Sequence, residues 1–347
     1  MSSHKRFLAL ALVASSLMSA SGCVCVSTAS RAGNVTFLWA FSGRPCALVP
    51  DITNVTIQIP GQVLQNGGTY GCLNGNPSTA GIVLLDFRPG TYSFSIQGNN
   101  RSGQTLYEAA GKFTVSGDVT VSVDLKPGAN APGAAIVTWT LPNNANCANA
   151  VGEAISTVDI VIDSTTTLHQ SCNAGIVAAG GSGPGVTVTG LLAGTHTMEL
   201  RAFGASNFQY FAVINSITIT AGGTVEGQFT LGYVVGSLPI KWQFLASGVA
   251  VTCEQIGSPM VFVNLKDSRG NFVYSGAGYS VPCKNGDGLQ GTLFPYLYGD
   301  TYQVYVQANP NNVLYRSNQN TPPRATVTAG VFPLLDANTF AVNVTNP

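Results

Sequence analysis

Asn34–Phe41 reads NVTFLWAF. Val35, Phe37, Trp39 and Phe41 share one parity, and Thr36, Leu38 and Ala40 share the other. A period of two marks a strand with one buried face. The same pattern returns as Val137, Trp139 and Leu141, then as Ile240, Trp242 and Phe244. The three tryptophans are 100 and 103 residues apart. Self-similarity at that interval means whole domains in tandem, because about 100 residues can bury their own core.

Working outward, each copy repeats the same order. A cysteine follows the Trp strand: Cys46, Cys147, Cys253. Next comes an apolar strand, as Val55/Ile57/Ile59, Val158/Ile160/Ile162 and Val261/Val263/Leu265. A second cysteine follows: Cys72, Cys172, Cys283. Then a glycine corner leads into another strand. The corners are Phe87 to Tyr92, Leu191 to His196, and Tyr296 to Tyr302, the last reading one residue longer. A lone tyrosine (Tyr107, Tyr210, Tyr315) and closing strands end each copy. About seven short strands per copy, punctuated by Gly, Asn, Pro and Ser, predict an all-β fold. Three tandem immunoglobulin-like antiparallel β-sandwich domains are expected, over 34–127, 134–233 and 237–347. Each is expected to fold alone. The linkers are Lys126 to Ala135, rich in Pro and Gly, and the shorter Gly232 to Ser237.

The N-terminus reads as an address. Lys5 and Arg6 precede an apolar run from Phe7 to Ala20, too short for a permanent span. Ala20-Ser21-Gly22-Cys23 resembles the lipobox of bacterial lipoproteins, with Ala20 where Leu is usual. That resemblance implies a signal peptide over 1–22, acylation of Cys23, a tether over 23–33 and, since Val24 is not Asp, sorting to the outer membrane. The Trp strand, cysteine pair and Leu/Phe-x-x-Gly-Thr-Tyr pattern resembles tandem domains of myxobacterial-type (deltaproteobacterial) lipoproteins. The Gly-Thr-Tyr corner is similar to carboxypeptidase-regulatory-like and transthyretin-like β-sandwiches. The resemblance runs from Asn34 onward and implies a fold, with little about activity.

Charged residues make up only 9% of the 347 positions, against roughly 25% in an average soluble protein. The formal net charge is 0, and no Lys/Arg cluster offers a face for nucleic acid. Six of the eight cysteines fall into the repeat pairs Cys46/Cys72, Cys147/Cys172 and Cys253/Cys283. An exported chain meets an oxidising compartment, so one disulfide per copy is expected. In the third copy the turn Asp267 to Asn271, between Val263/Leu265 and Phe272/Tyr274, returns the chain towards Cys253. Cys25 is left as a thiol in the tether.

No catalytic set, cofactor or metal is expected. His196 stands where the other copies have Tyr92 and Tyr302, and His169 occurs in one copy only. Asp159 and Asp163 are four apart on one strand and point outward. Gly286 to Gly291 spells G-x-G-x-x-G, but no helix follows it. The recurring tryptophans read as core. Tyr298 and Tyr305 are the candidate ligand contacts, because exposed tyrosines suit glycans or proteins. The expected role is a non-enzymatic envelope lipoprotein acting as a spacer or structural array. The alternative is a surface adhesion or carbohydrate-binding protein with the third copy as binding domain. The membrane, through the lipid, is the expected partner, with a glycan or envelope protein as a candidate second one.

Overall fold

The computed structural model describes residues 31–75, 81–150, 154–177, 184–287, 291–335 and 339–346. The signal, Cys23 and Cys25 lie outside the described residues. The chain divides into two compact units. One is the first copy to residue 125; the other is residues 126 onward, with 102–107 grouped with it.

In the first copy the strands are β1 Gly33–Phe41, β2 Asn54–Gln58, β3 Thr69–Gly71, β4 Ile82–Phe87, β5 Gly90–Asn99, β6 Thr105–Val115 and β7 Val119–Pro127. The second copy has β8 Gly133–Thr140, β9 Ile155–Ile162, β10 Thr166–Ser171, β11 Val186–Leu191, β12 Gly194–Gly204, β13 Gln209–Ile219, β14 Thr224–Thr230 and β15 Gly232–Tyr233. The third has β16 Val235–Ala246, β17 Val249–Val251, β18 Met260–Lys266, β19 Tyr279–Pro282, β20 Thr292–Tyr298, β21 Asp300–Ala308, β22 Tyr315–Arg316, β23 Arg324–Val327 and β24 Phe340–Thr345.

The fold is all-β, built of immunoglobulin-like sandwiches. Each copy places its Trp strand between a corner strand and the closing strand: β4-β1-β7, β11-β8-β14 and β20-β16-β24. The opposing layer is β3-β2-β5-β6, β10-β9-β12-β13 and β19-β18-β21-β23, and the two layers are joined through β6–β7 in the first copy and through β22–β24 in the third. The Trp strands alternate as the sequence requires: every second residue from Gly33 to Phe41 is buried. One feature departs from a purely antiparallel sandwich. The first and last main strands run parallel in all three copies, as Val35↔Val119, Ala135↔Val225 and Trp242↔Val342 show. The reason is an even number of reversals. Six reversals between the first and last main strands leave the two pointing the same way, and here they are neighbours.

Each core is organised by its tryptophan. Trp39, Trp139 and Trp242 are at most 1% exposed. A buried indole N–H needs an acceptor. In every copy it donates to the carbonyl of the second cysteine: Trp39 to Cys72 at 2.9 Å, Trp139 to Cys172 at 3.1 Å and Trp242 to Cys283 at 3.0 Å. That carbonyl opens a single helical turn, Cys72–Gly75, Cys172–Gly175 and Cys283–Asn285. Disulfides tie the turn to the loop after the Trp strand. Cys46–Cys72, Cys147–Cys172 and Cys253–Cys283 are bonded, with Cα atoms 5.9, 6.0 and 5.8 Å apart. Closing loops of 26, 25 and 30 residues stabilises each copy by roughly 3 kcal/mol on the chain-entropy account.

The turns reveal a signal that the sequence reading left unused. Cys72-Leu-Asn-Gly75, Cys172-Asn-Ala-Gly175 and Cys283-Lys-Asn-Gly286 share Cys-x-x-Gly. A Cβ at Gly175 would overlap the Trp139 ring, and one at Gly286 would overlap the Trp242 ring. Glycine is there for space, since neither residue has a positive φ.

Two local expectations change. The third corner is no longer than the others. Leu297, buried like Phe87 and Leu191, is their equivalent, so the corner starts one residue later than the sequence suggested. Positive φ at Asp86 (63°), Gly190 (79°) and Tyr296 (57°) marks the same bulge in each copy. Phe272/Tyr274 does return beside β18, through an antiparallel bridge Lys266↔Phe272 and the Val273 N–H donating to Leu265 O at 2.8 Å, but the longer ladder on β18 belongs to Tyr279–Pro282. The turn Asp267–Asn271 does form, with Asp267 N donating to Asn271 O at 2.9 Å. Beyond it, the Asn264 side chain takes the place of a strand, donating to Tyr274 O and accepting from Tyr274 N.

Gly175→Ala and Gly286→Ala are each expected to destabilise their copy by about 1–3 kcal/mol, the cost of overpacking a closed core. Gly232→Ala, where a Cβ meets only ordinary contact at 3.8 Å, is the neutral control. Denaturant midpoints measure the difference, and equal midpoints for all three would contradict the packing argument.

Candidate functional site

The corners show how one scaffold position is reused. The Tyr92 hydroxyl donates to Arg88 O at 2.9 Å, and the Tyr302 hydroxyl to Tyr298 O at 3.0 Å. In the second copy His196 takes that place, with Nε2 2.8 Å from Leu192 O. Burial pushes the Tyr302 phenol up to about 12, so it is a neutral donor. His196 also has a second partner, since Nδ1 lies 2.7 Å from Asp163 Oδ2. A carbonyl and a carboxylate both accept, so the ring makes both bonds only as imidazolium. The Leu192 carbonyl first, then Asp163, raises the His196 pKa. The His196 bond and the Thr197 N–H lower that of Asp163.

Asp163 reaches the ring because it has left the strand. Asp163 (φ 49°) and Ser164 (φ 58°) are the two central residues of a tight hairpin turn between β9 and β10. Asp159 stays on β9 and pairs with His169 Nδ1 at 2.7 Å. The two carboxylates therefore serve different histidines and do not share one proton. Both His196 nitrogens are spent, so neither is left to take a proton from a substrate.

Tyr298 and Tyr305 are not brought together. Tyr305 lines a hollow with Asn264, Phe272 and Gln319, and its hydroxyl donates to Gln303 at 2.9 Å. Tyr298 is 40% exposed and lines a cleft of about 530 Å³. Phe208 of the second copy stacks on it, with centroids 4.8 Å apart. The turn Asp267-Ser268-Arg269 and Asp300 also line it. The Asn271 N–H is the main cause of a lowered Asp267 pKa, and the Ser268 N–H of a lowered Asp300 pKa.

The cleft exists because the second and third copies meet through aromatic rings. Tyr296, in the left-handed bulge, packs against the second copy's core. Its ring lies 5.3 Å from Tyr210 and 6.4 Å from Phe332, edge-on to both. Val235 is fully buried in that same core. The expected linker from Gly232 to Ser237 is largely strand: Gly232 and Tyr233 pair with β13, and β16 begins at Val235. No sequence rule marks Tyr296. The signal was its register, one residue before Leu297, where the other copies carry the bulge residues Asp86 and Gly190.

No protein-family model matches the chain, and no curated protein does. Among solved structures it is similar to a streptococcal ancillary pilin at 10% identity, covering 91% of this chain and 99% of that one, with a TM-score of 0.34. A leucine-rich repeat protein from Bacteroides thetaiotaomicron aligns at 15% identity over 61% of this chain, with a TM-score of 0.25. The Bacillus anthracis TIE protein aligns at 10% identity over 91%, with a TM-score of 0.29. The chain spans 26% and 51% of the length of those last two. Nothing about function rests on these likenesses.

Two outcomes test this geometry. The folded His196 pKa lies above the ordinary 6.5, so its contribution to stability is complete below that value and is lost as pH rises through the raised one. Wild type should lose stability as pH rises above 6.5 relative to His196→Tyr, which keeps the corner bond without a titrating ring. Parallel stability–pH profiles would count against the pairing. Tyr296→Gly copies the residue at Gly190 and keeps the bulge. It should split one thermal transition of the second and third copies into two, with a coupling loss of about 1–3 kcal/mol. Calorimetry showing an unchanged profile would remove Tyr296 as the wedge.

Proposed function

We propose that this chain is an exported, non-enzymatic cell-envelope lipoprotein whose tandem sandwiches act as a spacer held to the outer membrane through Cys23. The observation that carries the reading is the threefold device of tryptophan, disulfide and Cys-x-x-Gly. Three disulfides, each closed within its own copy, belong to an oxidising compartment. Each copy spends its strongest cross-links on its own core, which suits a part that has to keep its length. The short apolar run before Cys23 and the Lys5/Arg6 start support export and lipid attachment. The membrane is the proposed partner through that lipid, and nucleic acid is not one.

Cys23→Ala should move the protein from the membrane fraction to the soluble fraction. Mass spectrometry of the wild-type N-terminal peptide should find it acylated at Cys23. Wild type found wholly soluble and without acyl groups would overturn the lipoprotein reading.

A further inference from the structure

The cleft between Phe208/Tyr298 and the turn at Asp267 has a composition that the spacer reading does not use. We propose that it binds a neutral sugar ring. Its volume, about 530 Å³, falls within the roughly 300–1,000 Å³ of small-molecule sites. The lining residues are of two kinds. Some are aromatic: Tyr298, on which Phe208 stacks, and Tyr296. The others are polar and offer hydrogen bonds of both senses. Asp267 and Asp300 accept, and Arg269, with 78% of its side chain exposed, donates. A pyranose has the matching split, with an apolar C–H face and a rim of hydroxyls that donate and accept.

The polar lining is already ordered. Asp267 Oδ1 accepts from the N–H of Arg269 at 3.0 Å and of Asn271 at 2.7 Å. Asp300 accepts from Ser268 N at 3.0 Å, Ser268 Oγ at 2.9 Å and Thr301 N at 2.7 Å. These bonds lower the pKa of both carboxylates and fix them before a ligand arrives. A fixed site loses less entropy on binding. Among the described residues, Asp267 Oδ2 has only long contacts, at 3.6 Å to Arg269 Nε and 3.4 Å to Asn271 Nδ2, which leaves lone-pair capacity for a hydroxyl. Charge selects among ligands. Two carboxylates against one guanidinium repel an anion, whereas a neutral polyol meets no such penalty.

This inference goes beyond the envelope reading and does not need the lipid. The test titrates the full chain in detergent with glucose, galactose, mannose and N-acetylglucosamine, followed by saturation-transfer NMR and calorimetry. At least one should bind saturably. Tyr298→Ala should weaken it about tenfold by removing the stacking face. Arg269→Ala should weaken it several-fold. Tyr298→Phe keeps the face and should bind like wild type. Tyr305→Ala, in the other hollow, should also leave binding unchanged. If Tyr298→Ala lowers the unfolding midpoint, Arg269→Ala on its exposed turn decides the matter. The proposal is overturned if none of the four sugars binds up to about 10 mM. It is equally overturned if binding survives Tyr298→Ala and Arg269→Ala, or if glucuronate or a lysine peptide binds more tightly than every neutral sugar.

Discussion

The hydrogen bond from a buried indole to a cysteine carbonyl organises each copy. Left without its acceptor, that N–H would cost roughly 1–3 kcal/mol inside the core. The acceptor must therefore sit deep, which requires a helical turn to deliver it and a bridge to hold the turn. In the second and third copies the turn in turn requires a residue without a side chain three positions on, because the indole fills the space. Tryptophan, two cysteines and glycine thus form one constraint. The strands around it are free to vary in length, as the third copy does between Cys253 and Cys283.

Variation has gone where this constraint is weakest. The corner needs only a donor to reach a carbonyl four residues back, so a phenol and an imidazolium both serve. The bulge before the corner needs a positive φ, which Gly190 adopts without strain and Asp86 tolerates. Tyr296 adopts it at a cost, since bulky residues avoid that region. The cost is offset by what the ring then reaches, a neighbouring core that a side chain in the ordinary strand direction would miss.

How much of this was legible depended on whether a feature repeats. The Trp strands, the second apolar strands and the copy order follow from alternation and recurrence. The corner role of His196 was readable from its register against Tyr92 and Tyr302. Its ion pair with Asp163 was not, because alternation carried Asp163 along the strand and missed the Asp-Ser turn that lifts it out. Tyr298 was legible as an exposed aromatic on a corner. The cleft it lines was hidden, because Phe208 and the Asp267 turn are far away in sequence and meet only through packing. The parallel pairing of first and last strands follows from counting reversals, a property of the whole copy that no local window contains.

That parallel pairing has a mechanical consequence. The chain enters each sandwich at one end of its first main strand and leaves at the opposite end of its last, and the two strands are hydrogen-bonded side by side over register pairs such as Val35↔Val119 to Phe41↔Leu125. Tension along the chain therefore loads those bonds in shear, all at once, instead of peeling them one by one. A module wired in this way resists pulling far better than its equilibrium stability alone would suggest, because forced opening is governed by the unfolding rate.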